Sequence, residues 1–213
     1  MLKIGKDGTM RFRCKLYEID SRERFVMKIY TIIAGVNGAG KSSLTGVLRA
    51  EMKNLGKVID VDKMIVKCGG NVIEGGKKSI VLIDECLEKE ICFTQETTLS
   101  GHRTLATIRK ALEKGYYIRL YYVGLNTVEE SLIRIENRVK KGGHNIPDAD
   151  VKRRFSKRFE DLAAVLQYCD EATFYDNENG FVAVAEYKNG EILQNGNHKP
   201  RWLAELMEYM DRC

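Results

Sequence analysis

The feature that most constrains this chain is a glycine-rich turn set between two patterned segments. Before it, residues 25–34 (FVMKIYTIIA) are aromatic and β-branched, the composition of a buried strand. Then come Gly35, Val36, Asn37, Gly38, Ala39, Gly40, Lys41 and Ser42, with Ser43 following. After the turn, Leu44, Val47, Leu48 and Met52 recur at helical spacing across 41–54. A strand, a G-x-x-x-x-G-K-S turn and a helix in that order form a phosphate cradle. The glycines let backbone N–H groups curl round an anion, and the helix N-terminus adds partial positive charge. In such a cradle Lys41 reaches the β- and γ-phosphates of a nucleotide and the Ser42 hydroxyl ligates Mg²⁺. The alternative is a chance match in an ordinary turn, and the flanking strand and helix weigh against it.

The rest of the chain alternates. Strand-like runs fall at 57–61 (KVIDV), 90–95 (EICFTQ), 116–125 (YYIRLYYVGL), 172–175, 181–187 and 191–194. Helical spacing covers 78–90, 103–114, a stretch from Val128 that Gly142 and Gly143 end, 147–167 and 200–212. Thr127 reads as an N-cap, Gly115 as a C-terminal cap and Pro147 as a first-position proline. The stretch 63–77 is short and glycine-rich. The pattern predicts an α/β fold: a P-loop NTPase-like three-layer α/β/α sandwich with a mostly parallel sheet and a helical lid insertion at about 128–167. Residues 1–26 lack this patterning and read as a dispensable extension or a partner segment ahead of a domain at 27–213.

Composition removes several classes. Apolar residues make up 44% and charged residues 31% of the 213. That supports a sizeable core and argues against disorder. Apolar runs such as 80–83 (IVLI) fall far short of the ~20 residues a spanning helix needs, so no membrane partner is expected. No apolar leader segment is visible. The six cysteines, Cys14, Cys68, Cys86, Cys92, Cys169 and Cys213, form no C-x-x-C pair. They read as reduced thiols of a cytoplasmic protein without a zinc site. The net charge of +5 is local: residues 134–158 hold nine basic and three acidic side chains, a net of +6. Aromatic residues do not interleave with these cations, except Phe155 and Phe159, which read as core. No nucleic-acid partner is expected.

Two groups of acids stand where ligands bind in an open α/β sheet, beyond strand C-terminal ends. Asp60 and Asp62 end the second strand-like run, and period-two alternation would put both on one face. Either can orient an acceptor hydroxyl, or simply cap the strand end. Glu96 follows the third run, with Thr97, Thr98 and Ser100 behind it. This group suits water-mediated Mg²⁺ binding or a substrate hydroxyl, while Ser100 suits an N-cap. Farther on, Arg134 and Arg138, then Arg153, Arg154, Lys157 and Arg158, flank Gly142 and Gly143. Helices carrying arginines around a glycine pair read as a lid closing on phosphates, or as a solvated basic face. His144, beside the glycines, reads as a loop hydrogen-bonder.

Taken together, GVNGAGKSS, VIDVD, FTQETTLSG and RVKKGGHNIPDADVKRRF resemble the zeta toxin family, especially its compact chromosomal members, from Met27 to about Asn177. The resemblance implies a P-loop small-molecule kinase that uses ATP and Mg²⁺ to phosphorylate a sugar hydroxyl of UDP-N-acetylglucosamine. It implies the toxin of a toxin–antitoxin pair, with an antitoxin protein as partner. It assigns Lys41 and Ser42 to ATP and Mg²⁺, Asp62 to the general base, and Glu96 and Thr98 to the sugar-binding segment. Arg138, Arg154 and Arg158 become the lid arginines. One other class stays open, a nucleotide-dependent switch without an acceptor; a nucleic-acid-binding protein using the basic helices ranks below both.

Overall fold

A computed structural model describes residues 27–51, 54–143 and 145–212. The extension read at 1–26, and Met52, His144 and Cys213, lie outside the described residues. The elements run β1 (Ile29–Ala34), α1 (Lys41–Glu51), β2 (Lys57–Asp60), α2 (Val61–Lys67), α3 (Val72–Glu88), β3 (Phe93–Thr97), α4 (Arg103–Glu113) and β4 (Tyr117–Val123). They continue with α5 (Val128–Lys140), α6 (Asp148–Ser156), α7 (Arg158–Leu166), β5 (Glu171–Asp176), β6 (Val182–Lys188), β7 (Glu191–Gln194) and α8 (Arg201–Asp211).

The sheet order is β2-β3-β1-β4-β5-β6-β7. The first five strands in that order are mutually parallel, and β6 and β7 add an antiparallel hairpin at one edge. Central β1 is buried along its whole length because both of its faces are covered. Tyr30, Ile32 and Ala34 face a layer holding Ile83 and Leu87 of α3, Ile108 of α4, Leu162 of α7 and Leu203 of α8. Ile33 faces the other layer, with Leu44 and Leu48 of α1. Two-sided burial explains why this strand reads as one apolar run rather than an alternation. The predicted α/β class and mostly parallel sheet are what the chain adopts.

Several boundaries differ from the sequence reading, each for a local reason. The strand at 57–61 stops at Asp60, whose side chain accepts the Lys63 N–H at 3.1 Å and caps α2. Asp62 therefore stands in the first turn of a helix, not on a strand beside Asp60. The stretch 63–77 supplies most of α2 and the start of α3, and Gly75 serves helix packing: a Cβ there would lie 2.6 Å from Ile65 Cα. The predicted helix at 147–167 is two helices. Lys157 leaves helical geometry at φ −96° and ψ 4° and divides α6 from α7. Pro147 is the N-cap of α6 rather than its first residue. Thr127 caps α5 as expected, accepting the Glu130 N–H at 3.2 Å. Ser100 does not cap α4. His102 holds that position and makes no side-chain capping bond.

Among the described residues no helix is long and apolar enough to cross a membrane. The segment joining β4 to β5 keeps a small core of its own, in which Ile135, Ile146 and Val151 pack with Val128 and Leu132.

Candidate functional site

The turn after β1 opens onto a cavity of about 440 Å³ at the C-terminal ends of the parallel strands. Gly38, Gly40, Lys41, Ser42 and Ser43 form one wall. Gly40 takes φ +103°, a conformation that a residue with a Cβ rarely adopts. Gly35, Val36, Asn37 and Ala39 complete the turn, and Val36, Asn37 and Ala39 are buried behind it. Asn37 ties the turn to the later helices. Its carbonyl accepts from the Ser131 hydroxyl at 2.5 Å, and its side-chain oxygen accepts from Arg154 at 3.1 Å.

Lys41 folds back over its own turn, donating to the carbonyls of Gly35 at 3.0 Å and Val36 at 3.1 Å. Burial lowers its pKa, and the nearby Asp62, Glu96 and Asp60 carboxylates partly oppose that shift. An anion against Lys41 would stabilise its charged form in the same way.

Beneath Ser42 lie two buried carboxylates. The Ser42 hydroxyl donates to Glu96 Oε2 at 2.6 Å and stands 3.4 Å from Asp60 Oδ2. Thr45 Oγ1 lies 2.7 Å from Glu96 Oε1. Desolvation raises the Glu96 pKa, and the bonds from Ser42 and Thr45 only partly offset it. Glu96 thus engages the P-loop helix rather than standing free at the end of β3. Asp62 is different. It is about half exposed at the cavity, with Arg138 3.9 Å from its Oδ2.

Thr97, Thr98 and Ser100 line the far side of the cavity. Thr97 accepts the Leu99 N–H at 3.0 Å, and the Thr98 and Ser100 hydroxyls stand 2.8 Å apart. Leu99 between them is buried and held at φ +62°. Such a conformation costs a non-glycine residue about 1–2 kcal/mol and persists only where surrounding structure enforces it.

Arg134, Arg138 and Arg154 line the cavity from α5 and α6. Arg158 does not, which corrects its assignment as a lid arginine. The break at Lys157 turns it away. It pairs with Glu205 of α8 at 2.9 Å, donates to the Phe155 carbonyl at 3.0 Å and stacks 4.0 Å from the Phe155 and Phe159 rings. It is a packing residue between α7 and α8.

One charged cavity residue escaped the sequence reading. Arg103, the first residue of α4, lines the cavity opposite the P-loop. Its signal was available, since a cation at a helix N-terminus opposes the helix dipole and needs another reason to be there. Asn177, just past β5, donates to the Ala39 carbonyl at 2.9 Å. Position in the sheet points to its turn, since the loop after the last core strand, residues 175–177, reads as lying near a nucleotide base.

No family model matches the chain. It is 36% identical over 126 residues to an uncharacterized protein of Haemophilus influenzae, a match covering 57% of this chain and 88% of that protein. A chain from the PezAT chromosomal toxin-antitoxin system of the human pathogen Streptococcus pneumoniae superposes with a TM-score of 0.58 at 15% identity, over 88% of this chain and 85% of that one. A chain of the AvrRxo1-ORF1:-ORF2 structure with ATP gives a TM-score of 0.59 at 16% identity over 86% of this chain. This chain spans 63% of that longer one. The fold is zeta-toxin-like. By sequence, the chain belongs to one family with the Haemophilus influenzae protein.

Proposed function

We propose that this member of the Haemophilus protein's family is an ATP-dependent kinase. It would transfer the γ-phosphoryl group to a hydroxyl of a nucleotide sugar such as UDP-N-acetylglucosamine, as the toxin of a toxin–antitoxin pair. One observation carries the reading. A single cavity brings the phosphate cradle face to face with a half-exposed carboxylate, Asp62, and with three arginines from another part of the chain. A nucleotide-binding site alone needs no such acid.

The division of work follows from position. Backbone N–H groups of the turn, Lys41 and the α1 N-terminus hold the nucleotide phosphates. Asp62 accepts the proton of the acceptor hydroxyl, since it is the cavity carboxylate that remains accessible. Arg138 and Arg154, with Arg134, bear on the charge that spreads over the transferring group. Thr97, Thr98 and Arg103 lie on the acceptor side. The α5–α6 segment, where Ile135, Ile146 and Val151 form a separate small core, acts as the lid that excludes water.

The residues also fit Mg²⁺. The Ser42 hydroxyl flanked by Asp60 and Glu96 is a hard-oxygen set, and burial of Glu96 is a cost that a cation relieves. When bound, Mg²⁺ supplies charge neutralisation at the phosphate oxygens. Mg²⁺ binds through one or two carboxylates plus substrate phosphates, so a complete protein cage is not required.

The fold shared with a chain of a chromosomal toxin–antitoxin system supports an antitoxin partner. Four free cysteines among the described residues fit a reducing cytoplasm. The deciding experiment incubates the protein with ATP, Mg²⁺ and a panel of nucleotide sugars and follows added phosphate by mass spectrometry. Asp62→Asn should lower turnover by about 10²–10⁴-fold, with ATP affinity within about twofold of wild type. ATP hydrolysis that no acceptor stimulates would replace the kinase with a nucleotide-dependent switch.

A further inference from the structure

Asn177 touches the phosphate cradle from outside. Its amide Nδ2 donates to the Ala39 carbonyl at 2.9 Å. In a trans peptide the C=O and the following N–H point in opposite directions. Gripping the Ala39 carbonyl from behind therefore aims the Gly40 N–H the other way, toward the cavity that Gly40 lines. Space tells the same story: a Cβ on Gly40 would lie 2.4 Å from the Asn177 amide nitrogen. Glycine at 40 thus serves two needs, its left-handed φ and room for this side chain.

Asn177 also acts through its main chain. Its carbonyl accepts from Arg134 Nη2 at 2.8 Å, and Arg134 lines the same cavity. The residue itself is held in place. Its neighbour Asp176, buried at the end of β5, accepts from the Trp202 indole N–H at 2.9 Å and lies 3.1 Å from His198 Nε2. Trp202 is fully buried on α8. The turn after β5 is therefore anchored from behind by the C-terminal helix.

We propose that Asn177 is a positioning residue for the nucleotide: its side chain orients the Ala39–Gly40 peptide, and its main chain places Arg134. The proposal rests on the ATP-kinase reading above. It names a determinant of nucleotide binding that lies outside the glycine-rich motif.

The test titrates full-length wild type, Asn177→Ala and Asn177→Asp with a fluorescent ATP analogue, alongside thermal melts. The aspartate keeps the size of the side chain but cannot donate to a carbonyl. ATP affinity should fall about tenfold in Asn177→Ala and further in Asn177→Asp, the loss expected for one directed hydrogen bond and its repulsive replacement. In turnover, KM for ATP should rise while KM for the acceptor stays within about twofold. Glu205→Gln, which weakens the Arg158 contact in the same C-terminal layer, should lower Tm without moving ATP affinity. A merely structural Asn177 would behave like Glu205. ATP affinity within twofold of wild type in both Asn177 variants would overturn this proposal and leave the kinase reading standing. Wild-type protein that binds no ATP would overturn both.

Discussion

The Glu96 carboxylate is buried under the P-loop helix, where charge is costly, yet it accepts from Ser42 and Thr45. Burial raises its pKa above the ordinary 4.5. Between the ordinary and the raised value the folded protein holds more protons than the unfolded chain. Stability therefore falls as pH rises through that window. Glu96→Gln keeps an oxygen for Ser42 and removes the charge. Its melting temperature should exceed that of wild type at about pH 7.5 and converge with it near pH 4, while Mg²⁺-dependent ATP binding weakens. A variant less stable than wild type at neutral pH would show that Glu96 is net stabilising as an anion. At this scale the cradle was legible from sequence, because eight consecutive residues encode it. The partner of Glu96 was not, since Ser42 lies 54 positions away. Asp62 was picked out by number, but its element was misread. VIDVD alternates like a strand, and only the capping bond of Asp60 to Lys63 turns the chain into a helix there.

Elements set the walls of the cavity through close contacts. Helices α2 and α3 approach so tightly at Gly75 that a methyl group would press on the backbone of Ile65. Gly75→Ala should cost about 1–3 kcal/mol in denaturant unfolding, the usual penalty of overpacking, despite the better helix propensity of alanine. A neutral or stabilising result would mean that the two helices part easily. Sequence shows only the flexibility of Gly75, not the neighbouring helix it admits. The same lesson holds at α6 and α7. Spacing put Arg154 and Arg158 on one helical face, but the break at Lys157 separates them. Arg158→Ala should cost about 1–3 kcal/mol of stability through the lost ring stacking and the partner left in Glu205. ATP affinity should hardly change, as unfolding curves and nucleotide titrations on the same variant can establish.

At the scale of the molecule, the net charge of +5 acquires an address. Of the cations between 134 and 158, Lys140 pairs with Glu136, Arg153 with Asp150 and Arg158 with Glu205, while Arg134, Arg138 and Arg154 line the cavity. ATP affinity should fall as ionic strength rises from about 0.05 to 0.5 M, because this attraction is only partly shielded from solvent. Affinity indifferent to salt would put the binding energy in apolar contacts instead. The layer architecture was legible as β-α alternation, since each element announces itself locally. The bond that joins the turn after β5 to the first turn was not, because it spans most of the chain.

The bond from Asn177 to Ala39 spans 138 positions, and that separation has a consequence in time. Chains emerge from synthesis N-terminus first. The glycine-rich motif is complete early, but β1 waits for β3 and β4 before it is flanked on both sides, and Asn177 and Trp202 arrive last. Contacts this distant in sequence form late, because their loops must close first. A growing chain thus carries the phosphate-binding motif for most of its synthesis without the outer support of that motif. On the reading proposed above, a product truncated before the C-terminal helix lacks the Trp202 anchor of the turn at Asp176 and should bind ATP more weakly.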